Sequence, residues 1–159
     1  MNRKKSHVAT TPSRVGREER SIRIMVVEDD QEMLAIYREN FLAPDFELFP
    51  VKSATEALEL LESKDEPFDV VIADKSMPEI AGIILLRKIQ KGFRDIRVIM
   101  VNGYGNWPAY IDVNNLGVCK FIEKPFKMAD LKRMVLSLVD ENRAGVAPSV
   151  MASRSKGEI

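Results

Sequence analysis

Four side chains of this sequence have the chemistry to bind a cation and a phosphoryl group together. They are Glu28, Asp29, Asp74 and Lys124. Each lies at, or just after, the end of a short β-branched apolar segment, and such segments are typical of buried strands in a parallel sheet. Ligands gather at the carboxyl ends of parallel strands. If the three strands are neighbours, three carboxylates and one ammonium converge at one edge of the sheet.

The charges of these groups indicate which cation they would take. Three carboxylates at such close range repel one another by several kcal/mol unless a cation lies between them. A set of ligands made only of oxygen favours a hard ion such as Mg²⁺. A divalent cation beside a carboxylate and a lysine is suited to phosphoryl groups. The residues therefore predict a magnesium site that handles phosphoryl groups.

Strands and helices alternate along the chain, which predicts an α/β fold with a parallel sheet and crossover helices. The predicted strands lie near 22–27, 47–51, 69–73, 96–101 and 118–122. The predicted helices lie at about 31–42, after Ser53, and at about 82–92, 107–116 and 128–142.

The helix after Ser53 has the clearest pattern. Ala54, Ala57, Leu58 and Leu61 follow the i, i+3, i+4, i+7 spacing of an amphipathic helix. Ser53 and Glu56 have the spacing of a capping box, in which each side chain accepts a hydrogen bond from the other residue's backbone N–H. We therefore expect this helix to begin directly after Ser53.

Three sequence segments give the chain a family resemblance. They are VVEDD at 26–30, DKSMP at 74–78 with Gly82 following, and FIEKPF at 121–126. In this order and at these strand ends they resemble the receiver domains of two-component response regulators, over about residues 21–141. The resemblance implies a five-stranded parallel sheet of order 2-1-3-4-5, doubly wound and flavodoxin-like, with five helices.

The resemblance also implies roles for the site residues. Asp74 would be the phosphoacceptor, whose carboxylate attacks a phosphorus atom in line and forms an acyl phosphate. Mg²⁺ would be the cofactor, held by Glu28, Asp29, Asp74 and the backbone carbonyl of Ser76. Lys124 would pair with a phosphate oxygen, aimed by a cis bond to the following proline.

Each of these residues also has a simpler interpretation. Asp74 could cap the turn after its strand, as aspartates commonly do. Glu28 and Asp29 could serve only as favourable charges at the start of the first helix, where Asp30 is the expected cap. Lys124 could be a solvated surface lysine.

Asn102 departs from the family pattern. After the fourth strand the family normally has Thr or Ser and then Ala, whereas this chain has Asn102 and Gly103. The amide NH₂ of Asn can donate to a phosphoryl group as the hydroxyl does, but Asn is longer and its carbonyl needs a partner of its own. We expect intact phosphorylation chemistry and an altered switch downstream of it.

Composition and charge predict one folded domain between two tails. The chain has 159 residues and 45% hydrophobic content, enough for one domain with a proper core. Residues 1–20 have a net charge of +4 and 142–159 of +2, which leaves −6 for 21–141. An acidic domain is unlike a nucleic-acid-binding surface. We expect a receiver domain at 21–141 between a disordered basic tail and a disordered tail or linker, with no output domain in this chain.

The same sequence bears on location. It has no apolar run of the length that spans a membrane, and no apolar region follows the basic residues near its start. Cys119 is the only cysteine, so no intramolecular disulfide can form. These features suit a reducing cytoplasm.

The predicted function is a phosphorylation-dependent change of partner. The phosphoryl donor would be a histidine kinase or phosphotransfer protein, and the recipient of the signal a downstream effector protein or output domain. The resemblance also implies a homodimer face around 107–116, the fifth strand and the last helix. The domain would catalyse only its own phosphorylation and slow dephosphorylation, and would not be an enzyme.

Two alternatives stay open at the sequence level. A pseudo-receiver would bind partners without phosphorylation, and Asn102 favours it whereas the acidic residues and Lys124 oppose it. A metal-dependent phosphatase or hydrolase with a strand-end aspartate would need a second aspartate two residues later. Ser76 occupies that position, which favours slow self-dephosphorylation.

Overall fold

The structure is a computed structural model that describes residues 20–63, 67–74, 79–93, 95–101 and 120–146, with the backbone alone at 74 and 79–82. The strands are β1 Ile22–Val27, β2 Phe46–Val51, β3 Val70–Asp74, β4 Arg97–Val101 and β5 Lys120–Ile122. The helices are α1 Gln31–Asn40, α2 Ala54–Ser63, α3 Glu79–Gly92 and α4 Met128–Arg143.

The five strands form one parallel sheet of order β2-β1-β3-β4-β5, which confirms the predicted fold class. Strand bounds differ from the predicted ones by at most two residues, while α3 begins three residues earlier than predicted. The helix predicted at 107–116 and Cys119 lie outside the described residues. The structure therefore describes four helices, and the fifth stays a prediction.

Successive residues of the central strands supply two separate cores, because side chains alternate between the faces of a strand. Met25, Val27 and Val71 pack on one face with residues of α2 and α3. Ile24 and Val26 pack on the opposite face with residues of α1 and α4. All six residues of β1 are buried, as expected for a strand covered on both faces. The sheet is therefore doubly wound, and the strand ends are left to carry polar groups.

Side chains cap the starts of α1 and α2. The cap of α1 agrees fully with the sequence prediction, and the cap of α2 agrees in part. Asp30 caps α1, since its Oδ1 accepts a hydrogen bond from the Glu32 N–H at 2.9 Å. Ser53 Oγ accepts one from the Glu56 N–H at 3.1 Å, as predicted for α2. The Glu56 carboxylate, however, accepts from the Lys52 N–H at 2.8 Å. The second half of the predicted capping box is thus shifted one residue outward.

Buried charged groups lie at the amino ends of the strands. Asp69, just before β3, accepts hydrogen bonds from the Arg23 N–H at 2.8 Å and from the Arg20 guanidinium at 3.3 Å. The Arg97 N–H donates to the Asp69 carbonyl at 3.0 Å, and the Arg97 guanidinium donates to the Val146 carbonyl at 2.8 Å. Contacts through Asp69 and Arg97 therefore connect Arg20 with Val146, the first and last residues described.

Arg23 is nearly enclosed although it is charged and lies inside β1. It is 4% exposed, and its guanidinium carbon lies 4.6 Å and 5.1 Å from the ring centroids of Phe49 and Phe68. It also donates to the Glu47 carboxylate at 2.8 Å. The aromatic faces and the carboxylate together compensate the charge for its loss of water.

Candidate phosphoacceptor site

Glu28 is the buried carboxylate of the predicted site. It directly follows β1 and is 1% exposed. Its backbone N–H donates to the Val51 carbonyl of β2 at 2.9 Å, and its Oε2 accepts from the Asp30 N–H at 2.8 Å. The backbone therefore fixes the carboxylate between the end of β1 and the start of α1.

Asp29 and Asp30, which follow Glu28, differ in their surroundings. The side-chain cap of α1 is Asp30, which confirms the prediction for that residue. Asp29 is exposed beside the buried Glu28. The roles of Glu28 and Asp29, as metal ligands or as favourable charges at the start of α1, stay predictions.

Asp74 ends β3, the neighbour of β1. Val27 pairs with Ala73 across the two strands, so Glu28 and Asp74 follow paired positions at the same edge of the sheet. Adjacent strands lie about 4.8 Å apart. Asp74 in turn pairs with Val101, the last residue of β4 and the one before Asn102 in the sequence. The side chain of Asp74, and residues Ser76 and Asn102, lie outside the described residues.

Lys124 approaches the same edge from β5, which is not a neighbour of β3. β4 lies between them, and two strand spacings amount to about 10 Å. Lys124 is exposed, and its bond to Pro125 is cis, as the resemblance implied. The lysine belongs to the carboxyl edge of the sheet, but it has to reach across the end of β4 to meet Asp74.

The donor chemistry at this edge fits a hard divalent cation. Glu28 and Asp29 are consecutive residues at the end of β1, and the strand register brings the Asp74 backbone to the neighbouring strand end. Carboxylate oxygens are the ligands that Mg²⁺ takes. Among the side chains that the structure describes, no group of three or more His, Cys, Asp or Glu could hold a metal. Asp74, the third predicted carboxylate, is not among those side chains.

Sequence reasoning missed the charged groups at the opposite edge of the sheet. Arg23, Asp69 and Arg97 are all at least 93% buried there. An arginine near the start of each of two apolar strands was the available signal. Such residues are usually assumed to face solvent, and only the tertiary contacts show that they do not.

One protein family matches the chain from β1 to α4. The sequence model of the response regulator receiver domain matches residues 24–136, which begin in β1 and end in α4. The chain belongs to the response regulator receiver domain family. Its fold, the strand-end acidic residues and the cis lysine–proline bond are all in keeping with that membership.

Plant response regulators are among its relatives. The two-component response regulator ARR11 of Arabidopsis thaliana is 32% identical over 111 residues, which cover 70% of this chain and 21% of that protein. ARR12 of the same plant is 32% identical over 127 residues, covering 77% and 21%. The chain thus spans about a fifth of the length of these relatives.

Solved structures share the fold. A CheY-like response regulator receiver domain protein from Methanospirillum hungatei has a TM-score of 0.68 at 27% identity, covering 79% of this chain and 98% of that one. The receiver domain of a sensor histidine kinase from Pseudomonas aeruginosa holds magnesium in its active site cleft. Its TM-score is 0.62 at 20% identity, covering 76% of this chain and 98% of that one, and this likeness bears on the fold alone. Among the described residues, no helix has the length and apolar character to cross a membrane.

Proposed function

We propose that this receiver domain accepts a phosphoryl group on Asp74, with Mg²⁺, from a histidine kinase or phosphotransfer protein. The phosphorylated form then binds a downstream effector protein or output domain differently. The proposal includes a cytoplasmic location, since a reducing compartment suits a chain with one cysteine.

The observation that carries the proposal is the buried Glu28 carboxylate beside the end of β3. A carboxylate that is 1% exposed loses most of its hydration, which is costly unless other groups replace the water. The Asp30 N–H replaces part of it. A bound cation at the same edge would lower the repulsion between Glu28, Asp29 and an ionised Asp74.

Each residue of the site would then have a defined part. Glu28 and Asp29 would hold Mg²⁺ with Asp74 and the Ser76 carbonyl, and the ion would offset the charge of an incoming phosphodonor. The Asp74 carboxylate would displace the donor's leaving group from phosphorus and become an acyl phosphate.

The two remaining residues would act on the phosphoryl oxygens. Lys124 would form a charge-assisted hydrogen bond to one of them across the end of β4. The Asn102 amide would donate to another. Asn102 and Lys124 follow β4 and β5 in the sequence. These contacts would therefore carry the effect of phosphorylation toward β5 and α4, the side of the sheet where we expect partners or a second copy to bind.

Phosphorylation by a small donor tests the proposal directly. Incubation with acetyl phosphate and Mg²⁺ is expected to add one phosphoryl group by intact-mass spectrometry, and no group when EDTA removes the metal. Asp74→Asn is expected to abolish the addition. Asp95→Asn is the matched control, because Asp95 is exposed at the opposite edge of the sheet and undergoes the same chemical change.

Two outcomes would contradict the assignment. Equal labelling of Asp74→Asn would place the phosphoryl group on another residue. No labelling of the unmodified protein, under conditions that label a known receiver, would favour a pseudo-receiver that binds partners without phosphorylation.

A further inference from the structure

A groove lies along the outer face of α3, on the opposite face of the sheet from α1 and α4. Its volume is about 480 Å³. We call it the α3 groove, and it is lined by Ile84, Arg87, Lys88, Lys91, Gly92 and Phe93. The chain continues from Phe93 to the start of β4, which lies at the opposite edge of the sheet from Asp74. The α3 groove is therefore separate from the predicted phosphorylation site.

The charges of the α3 groove are all positive. Arg87, Lys88 and Lys91 are exposed and share one face of α3, since they lie three, four and seven residues after Ile84. No acidic residue is among the described residues that line the groove. Lys88 Nζ lies 3.8 Å from Glu62 Oε2, but both side chains are more than half exposed and such a pair holds its partners weakly. The groove thus concentrates three cations on a domain whose residues 21–141 carry a net charge of −6.

Carbon surface accompanies these cations. The Ile84 side chain is 45% exposed at one end of the groove, and Phe93 is half-buried at the other. The aliphatic stems of the arginine and the lysines lie between them and can cover apolar surface while their charged ends stay in water. The α3 groove is therefore suited to a partner that has apolar side chains and carboxylates on the same face.

Gly92 keeps one end of the α3 groove open. A Cβ atom at this position would meet nothing within 4 Å. The left-handed backbone that commonly explains a glycine at a helix end occurs at Gly145, with φ 82°, and not at Gly92. Glycine weakens a helix relative to alanine. Since neither the backbone nor the packing of the described residues requires glycine here, its effect is the open space beside Lys91 and Phe93.

The spacing of the cations matches a helical partner. Arg87 and Lys91 are one turn apart, about 6 Å along the axis of α3. Carboxylates at positions i and i+4 of a partner helix repeat at the same interval. Two turns of such a helix span about 10 Å, the distance along the axis from Ile84 to Lys91. A nucleic acid would instead leave Ile84 uncovered and would be repelled by the net negative charge of the domain.

We propose that the α3 groove binds an acidic amphipathic helix of a partner protein, with an apolar side chain on Ile84 and carboxylates on Arg87 and Lys91. It is a docking surface distinct from the side formed by β5 and α4. Binding at the α3 groove does not require phosphorylation of Asp74.

The probe is a fluorescein-labelled, alanine-based helical peptide of about 16 residues, with leucine and glutamate at i, i+3 and i+4 spacing on one face. Its anisotropy is expected to rise saturably with the full chain, and glutamine in place of glutamate is expected to lower the affinity about tenfold. Arg87→Gln and Lys91→Gln are each expected to lower it about threefold. Gly92→Glu is expected to lower it at least about tenfold, because a carboxylate enters the open space beside Lys91.

Arg38→Gln is the matched control, because Arg38 is exposed on α1 and the substitution removes the same charge. It is expected to leave the affinity unchanged, as is Asp74→Asn, and urea unfolding verifies that each variant is folded. No binding by the unmodified protein, equal binding of the glutamate and glutamine peptides, or equal losses in Arg38→Gln and Lys91→Gln would overturn the proposal. Tighter binding to phosphatidylserine vesicles than to the peptide would also overturn it, because the groove would then serve a membrane surface.

Discussion

Glu28 illustrates how one residue can be both costly to the fold and useful to a site. A buried carboxylate persists only where polar groups or cations replace its water. The adjacent Asp29 is exposed, and Asp30 is committed to the cap of α1. Three consecutive acidic positions therefore have three different environments, which allows their roles to be separated by substitution.

Removal of the Asp29 carboxylate is expected to weaken Mg²⁺ binding. We expect Asp29→Asn to raise the dissociation constant about tenfold, or ~1.4 kcal/mol, because a metal ligand or its water-mediated equivalent is lost. Calorimetric titration of the unphosphorylated protein measures this. Asp30→Ser is the control, since serine removes the charge but keeps a cap of α1.

An equal loss of affinity in both variants would contradict the assignment of Asp29, because it would indicate only a general effect of charge. Unchanged affinity in Asp29→Asn would mean that this carboxylate does not serve the metal.

Asn102 is expected to limit how strongly phosphorylation changes conformation. A ligand shifts an equilibrium only by its differential affinity for the two states, and a longer donor with an extra carbonyl lowers that difference. We expect Asn102→Thr to enlarge the chemical-shift changes that beryllofluoride causes in β5, at similar phosphorylation stoichiometry. Two-dimensional spectra of both proteins, with and without beryllofluoride, measure this.

The opposite result would also be informative. If the unmodified protein already shows a complete two-state shift that Thr does not increase, Asn102 is a competent switch residue. If neither protein shifts, the coupling between phosphorylation and conformation has been lost at a residue other than 102.

At the scale of elements, the start of α2 offers a clean test of local sequence signals. Ser53 Oγ accepts from the Glu56 N–H at 3.1 Å. Ser53→Ala is expected to lower the free energy of unfolding by about 1 kcal/mol, because one backbone donor of the first turn loses its partner. Urea unfolding measures the change.

Ser63→Ala is the matched control at the other end of the same helix. Ser63 Oγ donates to the Leu60 carbonyl at 3.3 Å and is exposed. We expect its removal to change stability by less than about 0.5 kcal/mol. A loss at residue 63 equal to that at residue 53 would show that the cap itself contributes little.

The elements also show why part of this molecule could be predicted from its sequence. β1, β3 and β4 are mainly apolar runs, in spite of Arg23 and Arg97 near two of their starts, and helical patterns separate them, so the strand positions followed from the sequence pattern. The Asp30 cap followed from residue type. The Glu56 contact with Lys52 did not follow from the sequence, because a flexible carboxylate reaches several adjacent N–H groups at similar free energy. The sequence pattern alone could not order the three strand ends, and the resemblance supplied that order.

At the scale of the whole molecule, charged residues that sequence reasoning passed over hold the amino edge of the sheet. Arg23→Ala is expected to lower the free energy of unfolding by about 3 kcal/mol, from lost packing, aromatic contacts and hydrogen bonds. Urea unfolding measures this. Arg38→Ala, on the exposed face of α1, is the control. Equal effects of the two substitutions would mean that the Phe49 and Phe68 contacts contribute nothing measurable.

The contacts that connect Arg20 with Val146 have a consequence for how such a domain can be used as a module. Because Asp69 and Arg97 bring residues 20 and 146 to one edge of the sheet, a short linker could join a domain cut at these two positions. Domains with adjacent boundaries tolerate circular permutation and insertion into host loops. A host protein that received this domain in a surface loop would present the carboxyl edge of the sheet, with Glu28 and Asp29, on the side away from the junction.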